Sequence, residues 1–240
     1  MSTRVLLLAS VLLPVLAGGV AKAFVYAGAD VTIVEHPAMS SENFATEEQL
    51  GIGYLFLETE CQGQPCITYL ERLDLYTLLR FDLPDPQGPV KAVVLYLPVS
   101  ELYAVLPDWN FQDLCRFSVA RLDTPFSESK VTWEELEPGV PWNPEDHVDP
   151  LGDFYVSFST PTPIAVDLTD ELKDEVEAGG TIYLALVPDP AWWEYDWEEG
   201  HTCQALITSS EGGSGPMLYV EYGPPEGEGE DEGSHGREGV

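Results

Sequence analysis

The stretch YTLLRFDL, residues 76–83, separates its charged and apolar side chains by alternation. Leu79 and Phe81 fall on one face of an extended strand, while Arg80 and Asp82 fall on the other. One apolar face with a period of two is typical of a half-buried antiparallel strand. The stretch therefore predicts a core strand. We interpret Arg80 and Asp82 as an internal ion pair or a clamp on the backbone, with contact to a ligand as the alternative.

Runs of the same kind recur along the chain and are separated by Pro, Gly, Asp and Asn. They cover residues 31–34, 53–59, 76–83, 91–99, 115–122, 153–158, 162–168, 181–188, 203–209 and 216–222. Their Val, Ile, Leu, Tyr and Phe content favours strands, and their short spacing favours antiparallel pairing. The pattern predicts an all-β fold, a jelly-roll-like antiparallel β-sandwich of about ten strands.

One segment favours a helix. In LTDELKDEVEAGG, residues 168–180, apolar side chains recur every four residues from Leu168 to Val176. Thr169 is a residue type that caps helix N-termini, and the closing Gly-Gly pair can end a helix. We expect one short surface helix at an edge of the sandwich.

The first 23 residues have the pattern of a secretory signal peptide: Arg4, an apolar run, and Ala-Lys-Ala before Phe24. We expect cleavage before Phe24, a folded domain over residues 24–223, and a disordered, acidic Gly/Glu-rich tail over residues 224–240. No later run is apolar enough for a stable membrane span. The predicted location is secreted, extracellular or at the cell surface, and a retained N-terminal anchor is the alternative.

The chain is strongly acidic. It holds 42 Asp and Glu residues against 10 Lys and Arg, a formal net charge of −32. Nucleic acid and anionic lipid bind through Lys and Arg, so we expect neither as a partner. An acidic surface attracts cations such as Ca²⁺, which prefers oxygen ligands. Solubility or adaptation to salt is the alternative explanation of this charge.

Four cysteines in an exported chain predict two disulfides, for which three connectivities are possible. Cys61 and Cys66 flank the turn-like insert QGQP, which favours a local bond between them. That pairing leaves Cys115 with Cys203, each inside a predicted strand. Zinc binding is disfavoured because the sequence has no CxxC pair and its histidines are scattered.

The sequence holds no recognisable catalytic motif. Ser214 in GGSGP lacks the last glycine of GxSxG, and there is no HExxH, phosphate loop or EF-hand spacing. Carboxylates are too abundant for sequence to nominate a pair for glycoside hydrolysis. We expect no enzymatic activity. A hydrolase or lyase that uses an unrecognised carboxylate pair is the remaining enzymatic alternative.

The order of the motifs resembles the DNRLRE family, the disaggregatase-related domains that are similar to a class of β-sandwich carbohydrate-binding modules. The matching blocks are AGADVTIVE (27–35), LLRFDLP (78–84), VKAVVLYL (90–97), PFSESKVTWEEL (125–136), VDLTDELKDEVEAGG (166–180) and SSEGGSGPMLYVEY (209–222). The resemblance implies a jelly-roll-like sandwich, a non-catalytic role and an extracellular glycan or surface setting. Trp133, in the fourth of these blocks, is expected in the core.

The stretch AWWEYDWEEG, residues 191–200, is the predicted carbohydrate-binding site. Aromatic rings pack against the C–H faces of sugars, and neighbouring carboxylates accept hydrogen bonds from hydroxyls. The alternatives are packing against the sandwich edge and contact with a protein. The candidate residues are Trp192, Trp193, Glu194, Tyr195, Asp196 and Trp197.

Two acidic groups are candidate Ca²⁺ sites, and no other cofactor is expected. The first lies in NPEDHVDPLGD, residues 143–153, and includes Asp146 and Asp149. The second pairs Asp30, on the first predicted strand, with Glu211, near the last, where sandwich modules can hold a structural ion.

The expected function is that of a secreted non-catalytic module that binds extracellular or cell-surface polysaccharide. The alternative is a structural subunit of an extracellular matrix, filament or envelope, held by protein–protein contacts. The expected partner is therefore a polysaccharide or a cell-surface protein, and an oligomer is possible.

Overall fold

The structure is a computed structural model that describes residues 20–36, 38–58, 70–105, 115–136, 151–160, 162–188 and 202–224. Within these ranges the chain forms twelve strands and two helices. The strands are β1 (Ala21–Tyr26), β2 (Ala29–Glu35), β3 (Gln49–Glu58), β4 (Leu70–Asp82), β5 (Val90–Leu97), β6 (Val99–Val105), β7 (Cys115–Arg121), β8 (Gly152–Val156), β9 (Ile164–Asp167), β10 (Thr181–Pro188), β11 (Thr202–Thr208) and β12 (Met217–Tyr222). The helices are α1 (Trp133–Leu136) and α2 (Thr169–Ala178).

The strands form two antiparallel sheets. The smaller sheet has four strands in the order β1-β12-β5-β9. The larger sheet has eight strands, in the order β6-β11-β3-β4-β10-β7-β8, with β2 paired to β4. The predicted all-β antiparallel sandwich is confirmed. Among the described residues, no helix is both long and apolar enough to cross a bilayer.

Strand β4 connects three other strands of the larger sheet. It pairs with β3 through Leu70–Leu75, with β2 through Asp74–Arg80 and with β10 through Thr77–Asp82. Both of its faces are buried, because Leu79 and Phe81 lie in one hydrophobic cluster while Tyr76 and Leu78 lie in another. The alternation of YTLLRFDL therefore places side chains in two cores.

The main core contains apolar side chains from both sheets and from α2. The second core lies on the outer face of the larger sheet, which the segment 122–136 covers. That segment contributes Leu122, Phe126, Val131 and Leu136, and Trp133 stacks on Tyr76 with ring centroids 4.9 Å apart. The expected packing of Trp133 in the core is confirmed, since its partly buried side chain packs against this cluster. Trp133 is also the first residue of a second helix, α1, whereas the sequence predicted only one helix.

Helix α2 follows the predicted pattern. Leu168, Leu172 and Val176 are fully buried in the main core. Gly179, with a φ of 72°, ends the helix and donates its N–H to the carbonyls of Glu175 and Val176.

The predicted cap at Thr169 is wrong. The residue at the N-cap position is Leu168, and no side chain caps the helix there. Thr169 is the first helical residue, and its hydroxyl donates to Oδ1 of Asp167 at 2.6 Å. The hydroxyl oxygen of Thr169 accepts the N–H of Val93 at 3.0 Å, so Thr169 connects the helix start to β5 instead.

Each of the ten predicted runs lies on a strand, and two strands were not predicted. Strand β1 begins at Ala21, three residues before the expected cleavage point at Phe24, and pairs along its length with β12. Strand β6 follows β5 after only Pro98, so the run 91–99 covers parts of two strands.

The predicted bond between Cys115 and Cys203 is confirmed. Their Cα atoms are 5.9 Å apart, and the bond joins the first residue of β7 to the second residue of β11. The two strands are not neighbours in the sheet order, so the bond restrains strands that the ladders do not join. Cys61 and Cys66 lie outside the described residues.

Candidate functional site

The predicted carbohydrate-binding stretch lies outside the described residues, which resume at β11 after β10 ends at Pro188. This holds for Trp192, Trp193, Glu194, Tyr195, Asp196 and Trp197, and also for Asp146 and Asp149. Their roles remain predictions. Two other features of the described residues carry chemistry: an aromatic sheet face and a cluster of carboxylates.

The smaller sheet turns alternate side chains toward the main core and away from it. In β12, Leu218, Val220 and Tyr222 are buried in the core, and the intervening residues point outward. We call the outward-facing apolar set the ring face. It consists of Phe24, Tyr26, Val94, Tyr96, Met217 and Tyr219.

The strand register places the ring face in two neighbouring rows. Tyr26 lies opposite Met217, which in turn lies opposite Tyr96 on β5. In the next row Phe24 lies opposite Tyr219, which lies opposite Val94. Adjacent strands are about 4.8 Å apart, so each row extends about 10 Å from β1 to β5.

The ring face has a polar border beside Tyr219. The Tyr219 hydroxyl donates to Oε2 of Glu221 at 2.5 Å, and Nζ of Lys22 lies 3.7 Å from the same oxygen. Partial burial and this hydrogen bond raise the pKa of Tyr219, so its hydroxyl keeps its proton at neutral pH. The Phe24 and Tyr219 ring centroids are 5.3 Å apart at an interplanar angle of 53°.

The ring face departs from the usual composition of a sandwich surface. Outward positions of an antiparallel sheet are normally polar, since only the inner face is buried. Phe24 and Tyr26 are nevertheless 59% and 61% exposed. The larger sheet covers its own outer face with the second core, whereas no described segment covers the ring face. Contiguous exposed rings of this kind mark interaction surfaces.

The carboxylate cluster joins three distant parts of the chain. Carboxylate oxygens of Asp30, Glu128 and Glu211 all lie within 4.8 Å of one another. Asp30 is buried and accepts the backbone N–H of Ser210 at 2.9 Å, and its own N–H donates to Oε1 of Glu128 at 3.0 Å. The structure thus brings together the predicted pair, Asp30 and Glu211, and adds Glu128.

Burial and neighbouring charge shift the pKa values of two of these acids, Asp30 and Glu128. Burial raises the pKa of Asp30 to about 7, and the nearby charges of Glu211 and Glu128 act in the same direction. The Ser210 N–H opposes this rise. Burial also raises the pKa of Glu128, while the N–H of Asp30 and the charge of Arg80 lower it.

The donor set of this cluster suits a Ca²⁺ ion. Ca²⁺ takes six to eight oxygen ligands, and the three carboxylates together with the Ser210 hydroxyl supply oxygens of that kind. The hydroxyl lies 3.1 Å from Oε2 of Glu211. A bound cation would also offset the burial and the neighbouring negative charges that raise the pKa of Asp30. The expectation of a structural Ca²⁺ remains a prediction.

Arg80 and Asp82 form the expected ion pair, with Nη2 of Arg80 3.3 Å from Oδ2 of Asp82. The same nitrogen donates to the carbonyl of Gly28 at 3.1 Å. The ion pair and the contact with the backbone are confirmed, but the pair lies at the surface and is not internal. Because the Asp82 side chain is largely exposed, the pair contributes about 1 kcal/mol at most.

No protein-family model matches the chain, and a search of curated proteins finds no match. The case for a function therefore depends on the geometry of the two features above.

The carboxylate cluster makes stability depend on pH. With divalent cations chelated, the folded chain holds a proton on Asp30 up to about pH 7, whereas the unfolded chain releases it near 3.8. The free energy of unfolding contributed by this group should therefore fall as the pH rises between these values. Asp30→Asn removes the effect, so its stability relative to the unsubstituted chain should rise across this interval in urea titrations. Parallel stability–pH curves for the two proteins would contradict this.

Calcium is expected to stabilise the folded chain through the same cluster. Added Ca²⁺ should raise the melting temperature over that in chelator, because an ion that binds only the folded state stabilises it. The rise should be lost in Asp30→Asn and Glu128→Gln and retained in Asp123→Asn, a control at an exposed carboxylate. Differential scanning fluorimetry measures this, and an equal rise in all four proteins would exclude the cluster as the site.

Proposed function

We propose that this protein is a secreted, non-catalytic β-sandwich module that binds extracellular or cell-surface polysaccharide. The observation that carries the proposal is the ring face, where Phe24 and Tyr26 are exposed beside Tyr96 and Tyr219 on the outside of the smaller sheet. The surface of a rigid sheet holds these rings at fixed spacing, so little conformational entropy is lost when they bind a ligand.

The chemistry of the ring face suits sugars. The C–H faces of pyranose rings are apolar and pack against aromatic rings, while their hydroxyls need hydrogen-bond partners around the edge. Tyr219 and Glu221 supply such partners at the border of the ring face. Tyrosine combines an apolar ring with a hydroxyl and so provides both kinds of contact in one side chain.

Two features of the sequence support the same proposal. The resemblance to the DNRLRE family implies glycan binding by a sandwich without catalysis, and the signal-peptide pattern implies export. The Cys115–Cys203 bond is compatible with an oxidising compartment, where disulfides persist. The stretch at residues 191–200 remains a second predicted sugar contact.

A structural subunit is the second candidate function. Strand β1 is at the end of the order of the smaller sheet, so its outer edge has no partner strand among the described residues. An edge strand beside exposed rings can also pair with another protein chain. Self-association through the ring face would favour this alternative over sugar binding.

The test is binding of the full chain to a panel of polysaccharides. Pull-down on insoluble glycans and a glycan array should retain the unsubstituted chain. Tyr26→Ala and Tyr96→Ala should each weaken binding about tenfold, because aromatic residues carry much of the energy of an interface. Tyr103→Ala is the matched control, since Tyr103 is 50% exposed on β6 of the other sheet.

Three outcomes separate the alternatives. Loss in the Tyr26 and Tyr96 variants with unchanged melting temperature supports the proposal. Loss only in Trp193→Ala and Trp197→Ala would move the site to the predicted stretch and contradict the role of the ring face. The structural subunit would be supported if the chain binds no glycan and elutes as an oligomer in size-exclusion chromatography. Tyr26→Ala should then dissociate that oligomer.

A further inference from the structure

We infer that the ring face takes a neutral polysaccharide and discriminates against anionic ones such as polyuronates and sulfated glycans. This inference rests on the proposed function and specifies its ligand class. It follows from the charges around the ring face and from those on the whole chain.

The ring face carries a carboxylate at two of its borders. Glu221 borders Tyr219 on β12, and Asp167 of β9 lies directly opposite Val94, at the end of the row that begins with Phe24. Hydrogen bonds from Thr169 hold the pKa of Asp167 below its ordinary value, so this group is negatively charged at neutral pH. An acidic sugar lying along this row would meet like charge.

The cations near the ring face offset only part of this charge. Nζ of Lys22 lies 3.7 Å from Glu221 and 5.5 Å from the centroid of the Tyr219 ring, so Lys22 and Glu221 form a pair of opposite charges in the full chain, and the expected cleavage before Phe24 would remove Lys22. Lys91 of β5 is exposed and adds a single positive charge on the same sheet. Further away, Arg80 is paired with Asp82 and Arg121 with Glu175. Anion recognition in proteins uses exposed, convergent Arg and Lys, and these side chains do not provide it.

The net charge of the whole chain also disfavours anionic ligands, and it acts at longer range. A chain with a formal charge of −32 repels a polyanion before contact, and this repulsion is strongest at low salt. A neutral polysaccharide meets no such barrier. Its hydroxyls can donate to Glu221 and Asp167, which are acceptors when ionised. The same groups that exclude an acidic ligand therefore suit a neutral one.

The test compares two soluble polymers that share one backbone, neutral hydroxyethyl cellulose and anionic carboxymethyl cellulose. The full chain is titrated with each by isothermal titration calorimetry, at low salt and at about 0.3 M NaCl, where screening acts over only a few ångströms. We expect binding of the neutral polymer that salt changes little. Binding of the anionic polymer should be at least tenfold weaker at low salt and should strengthen as salt is added.

The outcomes distinguish this inference from the proposed function. Tighter binding of carboxymethyl cellulose at low salt, lost in Tyr26→Ala and Tyr96→Ala, would overturn the inference and leave the proposed function standing. Failure of both polymers and of every glycan in the panel would overturn both. Equal affinity for the two polymers at low salt would also overturn the inference, because charge would then not contribute to selection.

Discussion

The pairing of β4 with three other strands is the constraint on which the rest of the fold depends. Strand β4 pairs with β2, β3 and β10, and it carries apolar side chains on both faces, so one face is covered by the main core and the other by the second core. The segment 122–136 supplies that second cover for the larger sheet. The smaller sheet has no equivalent layer among the described residues, and its outer face is where exposed rings collect.

Sequence alternation predicted the strands well because a period of two and Pro/Gly boundaries are local properties. It missed β1, whose first three residues were assigned to an export signal, and β6, which Pro98 alone separates from β5. The ring face was therefore missed as well. The sequence did contain one sign of the ring face, because outward positions of the predicted strands 91–99 and 216–222 also carry aromatic residues.

The carboxylate cluster includes a residue that the local sequence pattern could not predict. Asp30 and Glu211 could be paired in advance because they lie near the first and last predicted strands. Glu128, 98 residues from Asp30 along the chain, reaches it only through the segment that covers the larger sheet. Only a tertiary contact brings Glu128 close to Asp30, so no regular spacing in the sequence could have predicted it. The helix cap failed for a similar reason, since Thr169 bonds to Val93 of a neighbouring strand.

The central claim is that the ring face is the surface that binds ligand, and amide chemical shifts test it most directly. A ¹H–¹⁵N titration of the full chain with a soluble neutral β-glucan oligosaccharide should shift the amides of Phe24, Tyr96 and Tyr219 most. Amides of β3 and β10, in the other sheet, should shift little. Shifts concentrated beside Pro188 and Thr202, with β1 and β12 unchanged, would contradict the account.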